Sequence, residues 1–360
     1  MNSQYAPLSV RNYQSDEDYW RIRQFLGEVF LLNDRREDAW QAYRFDYWRW
    51  HGVENLGQGP LEEKVFLWET QAGELAAVLN AEGHGDAFLQ VHPAWQSIDL
   101  LERMVDKAEE RLEDKQAGKR NLVVWASERD EFLKTILAGR GYRKPEGGFE
   151  MQRRLPLYQQ RRRDGGSIEK RTPSRPPPFS GFWKMEEEFD HSLPISAMSS
   201  STKWGGWGGA GEERSYTIRS LGGPDELPAR SWASWRGFHP DEPDEEYQDW
   251  EWYLNIQRAP LYQRDLDLVA VAPGGEIAAL CTVWFDDVTR TGAFEPVACV
   301  PEHQRRGLAS AVMAEGLRRL QNLGATLATV GSYSTHAHDL YESMGFTDVS
   351  IAEPLRTGSI

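Results

Sequence analysis

Along the second half of the chain the spacing of apolar positions switches repeatedly between two and about three and a half residues. Residues 268–272 and 277–285 are apolar runs separated by Pro273-Gly274-Gly275, which predicts a strand, a tight turn and a returning strand. Residues 216–219 predict an earlier strand. Between them, 226–238 predicts a helix with Trp232, Trp235 and Phe238 on one face, and 249–257 a second helix with Trp250, Tyr253 and Leu254 in a stripe. Downstream come a strand at 291–300, an amphipathic helix at 310–323 and a strand at 325–330. Ala337, Leu340, Tyr341 and Met344 then recur at helical spacing until Gly345 stops the helix before Phe346 starts another strand. Strand, two helices, meander and strand–helix–strand together make an α/β domain.

The same grammar occurs in the first half. Matching Pro93 with Pro301 lays residues 88–101 on the stretch around 300, so that Gln96 falls on Gln304. Ser97, Ile98 and Asp99 then replace Arg305, Arg306 and Gly307. Further on, 136–142 aligns with 340–346 and puts Leu137 where Tyr341 stands. The openings, Leu8-Ser9-Val10-Arg11 and Tyr216-Thr217-Ile218-Arg219, are also similar. Two tandem domains are expected, at 1–156 and 216–360. The segment 157–215 between them carries Pro176-Pro177-Pro178, Arg161-Arg162-Arg163 and a Trp/Gly run from Trp204 to Gly211. Its composition supports no periodic buried face, so it is expected to be an extended or irregular linker, with Trp183, Trp204 and Trp207 packing between the domains.

A chain of 360 residues exceeds the size at which one core usually divides, and 40% hydrophobic with 27% charged residues is a globular balance. No apolar run approaches the roughly 18 residues of a membrane span, and the first residues lack a signal-peptide pattern, so a cytoplasmic protein is expected. The net charge of −15 argues against holding a nucleic acid by its phosphates. Asp241-Glu242-Pro243-Asp244-Glu245-Glu246 is either a solvated helix approach or a device that draws cationic amines. Cys281 and Cys299 both sit in apolar runs, as expected of buried thiols rather than a disulfide or metal site.

The chemistry concentrates at 294–311. A strand ending at Cys299 and Val300 is followed by Gln304-Arg305-Arg306-Gly307-Leu308-Ala309-Ser310, which opens a helix. Consecutive backbone N–H groups and a positive helix end converge there, and Gly307 lets an anion approach without a Cβ in the way. Arg305 and Arg306 add full charge. Such a place suits a pyrophosphate. In the first half an aspartate, Asp99, takes the glycine's position and would repel one.

The pattern Q-x-x-G-x-A after a strand resembles motif A of the GNAT acyl-CoA N-acyltransferases. Residues 337–346, A-H-D-L-Y-E-S-M-G-F, resemble that family's second motif. The resemblance implies two tandem GNAT-like α/β domains, each a mixed, mostly antiparallel sheet flanked by helices with a splayed parallel strand pair. The front copy would be degenerate and the rear copy active, a layout similar to that of mycothiol synthase. It implies acetyl-CoA as co-substrate, without a metal, and a small-molecule amine as acceptor. The cofactor-binding set would be the strand backbone at Ala298, Cys299 and Val300, residues Gln304 to Ser310, and Tyr341. Ser334 stands where the family often has an asparagine that bonds the pantetheine arm; a hydroxyl is shorter but still donates and accepts.

Tyr341 is the general acid that the resemblance implies for the departing thiolate, with packing of its helix as the plainer role. Strand alternation puts Glu295 on one face with Val297 and Cys299, and a carboxylate inside an apolar strand is costly unless used or paired. Glu295 is therefore either the general base or an arginine's partner. His303, His336 and His338 are alternatives, equally able to be surface groups. Trp235, Phe238, Tyr247 and Trp250 are the candidates for contacting the acceptor, since the segment that holds them forms the acceptor wall in the family. A non-catalytic acyl-CoA sensor and an aminoacyl-tRNA-dependent transferase of the FemX kind are the alternative functions. The second should show a basic RNA face, which this chain lacks. A monomer or a homodimer is equally compatible with the sequence.

Overall fold

The computed structural model describes residues 8–114, 121–145, 150–157, 202–204 and 215–357. The polyproline run, the triple arginine, Trp183 and Trp207 lie outside the described residues. In the front half come β1 (Ser9–Asn12), α1 (Asp16–Leu32), α2 (Ala42–Tyr47), a π-helical turn (Trp48–Val53), and the short α3 (Glu54–Leu56) and α4 (Leu61–Lys64). They are followed by β2 (Val65–Glu69), β3 (Leu75–Asn80), β4 (Asp86–Val91), α5 (Ile98–Arg111), β5 (Val123–Ser127), α6 (Glu131–Gly139) and β6 (Glu150–Pro156). In the rear half are β7 (Thr202–Trp204), β8 (Tyr216–Ser220), α7 (Leu227–Phe238), α8 (Trp252–Ile256), β9 (Asp267–Val271), β10 (Ile277–Asp286) and β11 (Thr291–Cys299). Helix α9 (Leu308–Asn322), β12 (Leu327–Ser332), α10 (Thr335–Ser343) and β13 (Thr347–Arg356) complete it. Strand β7 falls inside the expected linker and pairs with β8.

All these strands form one sheet, ordered β1-β2-β3-β4-β5-β13-β6-β12-β11-β10-β9-β8-β7. The two halves exchange their last strands. Strand β6 pairs with β12, Gly331 opposite Gln152, and β13 pairs with β5, Ala352 opposite Ser127. β6 and β13 also pair with each other, which makes the sheet continuous. The expected segments 1–156 and 216–360 cut across this exchange, so neither closes its own sheet. Only β4 with β5 and β11 with β12 run parallel; the rest is antiparallel, as the meanders with short turns require.

Alternating and helical apolar patterns both find their cores. Leu308, Ala311, Val312, Met313 and Leu320 of α9 are buried against β10 and β11. Burying each large side chain contributes about 1.5–3 kcal/mol. The opposite face of the rear sheet is covered by α7 and α8, and also by α2 of the front half. There Tyr43 stacks on Trp284 at 6.4 Å, and Gln41 Nε2 donates to Thr329 Oγ1 at 3.0 Å. Beneath α7 the Arg230 guanidinium, fully buried, pairs with Asp267 at 3.0 Å. The Tyr253 and Tyr262 hydroxyls donate to the same carboxylate, which brings the remaining lone pairs into hydrogen bonds. Among the described residues no helix is long and apolar enough to cross a membrane.

Candidate active site

After β11 comes a loop that opens a helix, and its backbone conformation is specific. A 3₁₀ turn at Pro301–His303 leads to Arg305 and Gly307, which both take left-handed φ, +61° and +75°. Helix α9 starts at the next residue, and no side chain caps it. The first N–H groups of an α-helix have no intrahelical acceptor, so those of Leu308, Ala309 and Ser310 are left for another group, while the Ala311 N–H bonds the Gly307 carbonyl at 3.0 Å. Residues Gln304 to Gly307 are exposed. Arg306 is braced by bonds to the Tyr216 hydroxyl at 2.8 Å and the Glu302 carbonyl at 3.2 Å, and Gln304 Nε2 donates to the Cys299 carbonyl. Exposed arginines, a left-handed glycine and an uncapped helix start fit a diphosphate.

The corresponding front turn is built differently. Helix α5 begins at Ile98, two positions earlier in the alignment, and Ser97 Oγ accepts from the Leu100 N–H at 3.2 Å. One donor is thus satisfied internally, the left-handed turn is missing, and Asp99 sits exposed in the first helical turn. The gap beside it is filled as well. Pairing of β4 with β5 stops at Phe88 and Trp125, whose rings stack at 5.9 Å, and Trp40 tilts over Phe88 at 4.8 Å. Only about 50 Å³ remains there. In this half Leu137, fully buried, occupies the tyrosine's place.

In the rear half the parallel pairing ends at Phe294 and Val330, while β11 stays joined to β10 as far as Cys299. The two strands therefore part beyond Glu295. A bulge at Glu295-Pro296, across from Thr282, marks the start of the opening. The Val300 N–H is spent on the Ala278 carbonyl at 3.0 Å, so this predicted donor does not face the gap. Strand alternation turns the Ala298 N–H the same way and leaves the Cys299 N–H toward the gap. Cys281 is buried and Cys299 half-buried, both as free thiols; burial raises the Cys299 thiol to about 11.

Glu295 lies at the mouth of this gap, half-buried. Burial, then the neighbouring Glu150 carboxylate, push its pKa up to about 7; Arg44 acts against them and Glu82 with them. Glu150 comes from β6, the strand lent by the front half. A Cβ on Gly331 would stand 2.9 Å from Glu150 Oε1 and from Gln152 Nε2, so glycine is what lets these side chains lie over β12. Arg44 of α2 joins Glu150 at 2.9 Å and Glu82 at 2.8 Å. No arginine or lysine bonds Glu295 among the described residues, which separates it from the structural salt bridge that its position also allowed. Tyr341 is buried in the rear core, and burial, then Glu295 and Cys281, hold its phenol well above the ordinary range, in the protonated form.

Glu295 and Pro296 also form the floor of a cleft of about 840 Å³ between the halves. The rear wall carries Trp235, Phe238 and Tyr247, three of the candidates for contacting the acceptor, together with Trp252; the fourth candidate, Trp250, is not in the wall and packs on the core. The front wall carries Tyr47, His51 and Asn55, from the end of α2, the π-helical turn and α3. Glu54, Glu246, Asp249 and Glu251 line it with Glu295, and among the described residues no lysine or arginine does. Ser334 is engaged as the N-cap of α10, accepting from the Ala337 N–H at 3.3 Å. His303 bonds the Tyr216 hydroxyl on the loop side, and neither it nor His336 nor His338 lines the cleft. The front-half residues escaped the sequence because nothing local marks them; only the packing of α2 on the rear sheet brings them in. Among the described residues no group of His, Cys, Asp and Glu is arranged to hold a metal ion.

The model of the acetyltransferase (GNAT) family matches residues 226–346. No curated protein matches the chain. Among solved structures, a GCN5-related N-acetyltransferase from Sphaerobacter thermophilus is 16% identical, with 97% of this chain and 95% of that one covered and a TM-score of 0.59. A tandem GNAT protein from the clavulanic acid biosynthesis pathway is 12% identical, with 98% and 100% covered and a TM-score of 0.55. At such identities the likeness concerns the fold, and it extends across both halves. The turn, the parted strands and the second motif all lie inside the residues 226–346 that match the acetyltransferase (GNAT) family, and the fold around them is similar to that of a tandem GNAT protein.

Proposed function

We propose that the rear half transfers an acetyl group from acetyl-CoA directly to a primary amine of a small, cationic molecule, and that the front half serves as the second wall of the acceptor cleft. The observation that carries this is the meeting of the gap and the cleft at Glu295. Residues Gln304 to Ser310 would hold the diphosphate, and the parted strands the pantetheine arm. When bound, the thioester supplies an acyl group already activated toward an amine.

The chain's own groups then divide the proton traffic. Glu295, with a pKa near neutrality, is matched to taking a proton from an ammonium group and leaving a neutral nucleophile. The Cys299 N–H offers the acyl oxygen a donor that needs no reorganisation. Tyr341 stays protonated across the working range and holds the proton owed to the departing sulfur. Five carboxylates, with no lysine or arginine beside them among the described residues, favour a cationic acceptor, and Trp235, Tyr247 and Trp252 offer it aromatic faces.

The test is release of free thiol from acetyl-CoA with a library of amines, compared among wild type, Glu295→Gln and Tyr341→Phe. Each variant should lose about 10²–10⁴-fold in kcat. Unchanged turnover in both would remove these roles, and acetyl-CoA binding without any turnover would favour the sensor reading.

A further inference from the structure

His51 is a front-half residue on the cleft wall, clasped between the rings of Tyr47 at 5.0 Å and Trp252 at 5.3 Å. Its hydrogen bonding can be worked out from a chain of fixed roles. Arg258 can only donate, and its Nη1 lies 3.3 Å from Asn255 Oδ1, which orients the Asn255 amide. Asn255 Nδ2 therefore faces Asn55, donating to Asn55 Oδ1 at 2.7 Å. This turns Asn55 Nδ2 toward the Trp252 carbonyl at 3.0 Å, an acceptor only, and toward His51 Nδ1, also at 3.0 Å. An amide nitrogen offers no lone pair, so His51 Nδ1 must accept. In a neutral ring the proton then sits on Nε2.

The ring stays neutral. Burial lowers its pKa to about 4, although Glu54, Glu246, Asp249, Glu251 and Glu295 face the same cleft. No described residue accepts from Nε2, and His51 lines open space. A fixed, uncharged donor on the wall of an acceptor cleft calls for an oxygen on the ligand. The five carboxylates exclude an anionic one, so that oxygen is a hydroxyl or an amide carbonyl.

We propose that His51, held by Asn55 as the Nε2–H tautomer, is the residue by which the front half selects the acceptor, donating to a neutral oxygen carried by the amine that binds against Glu295. This rests on the cleft being the acceptor site. The probes are matched amines that differ by one hydroxyl, 6-amino-1-hexanol against hexylamine and tyramine against phenethylamine. At saturating acetyl-CoA the hydroxylated member should show a KM about tenfold lower with similar kcat, the yield of one hydrogen bond. His51→Phe should abolish the preference, and His51→Gln, which keeps a donor, should retain part of it. Nitrogen-15 spectra of histidine-labelled protein should show Nε2 protonated and Nδ1 bare between pH 5 and 8.

Equal KM values within both pairs, a preference that survives His51→Phe, or a proton on Nδ1 would each overturn the proposal. If no amine is turned over, the catalytic reading fails by itself and the same pairs are added to the labelled protein instead. A shift of the His51 Nε2–H with only the hydroxylated member supports the selection, and identical spectra refute it.

Discussion

Replacing Gly307 by aspartate copies into the rear turn the residue that the front turn has at Asp99. The structure separates the two effects of this change. Gly307 has φ +75°, which aspartate tolerates better than most residues, and an added Cβ meets nothing within 4 Å. Folding stability should fall by only about 1 kcal/mol. For the cofactor the cost is larger. A carboxylate some 4–5 Å from a phosphate charge is repelled by about 4 kcal/mol at an effective dielectric of 20, and the exposed turn screens that to about 1–3 kcal/mol. Acetyl-CoA should therefore bind roughly ten- to a hundredfold more weakly. Thermal denaturation with and without acetyl-CoA reads this directly. At a hundredfold excess over Kd the ligand adds about 2.7 kcal/mol of apparent stability, and a hundredfold loss of affinity leaves about 0.4 kcal/mol. Gly307→Ala, with similar backbone strain and no charge, serves as the control. A Gly307→Asp protein that keeps the full ligand-induced shift would refute the assignment of the diphosphate to this turn.

Three further outcomes are expected. If Glu295 is the base, kcat/KM for the amine should rise with pH and level off above about 7, the value to which burial and Glu150 push it, and Glu295→Gln should abolish this limb. Because its folded pKa lies above the unfolded value, Glu295 favours the fold at low pH and this contribution is lost as pH rises toward 7. Glu295→Gln should then raise Tm at pH 8 more than at pH 5. Arg230→Met leaves Asp267 buried without its ion partner and should cost about 3–5 kcal/mol in denaturant unfolding; a loss under 1 kcal/mol would show that Tyr253 and Tyr262 satisfy the carboxylate alone. A chain cut at an engineered protease site after Pro178 should elute as one particle, since β6 and β13 tie each half into the other's sheet, and separate peaks in native buffer would contradict the exchange.

The residues proposed for the rear site carry local signals in the sequence. A glycine in a strand-to-helix loop, arginines beside it and a tyrosine at helical spacing leave marks within about 50 residues of chain, whereas the left-handed φ of Arg305 and Gly307 appears only in the structure. Helix α8 was read longer than it is, since Asp249 to Glu251 continue the polar and aromatic pattern while their backbone makes only turns. Tyr47, His51 and Asn55 have no such marks, because their role depends on α2 lying over a sheet more than 200 residues away in sequence. The strand exchange was equally silent. β6 and β13 have the same alternation whichever neighbour they join, and register across a sheet is settled by partners that a one-dimensional pattern does not name.

The pairing of Ser127 with Ala352 has a consequence for biosynthesis. While the ribosome makes the remainder of the chain, on the order of ten seconds or longer at ordinary elongation rates, β5 waits with one edge bare. That edge is covered only when β13 pairs with it. A nascent chain that stalls or terminates early thus exposes a strand edge in the part already made, the kind of surface that chaperones shield and proteases attack. A chain lacking β13 should therefore be less soluble than one that carries it, as sedimentation of the two forms would show.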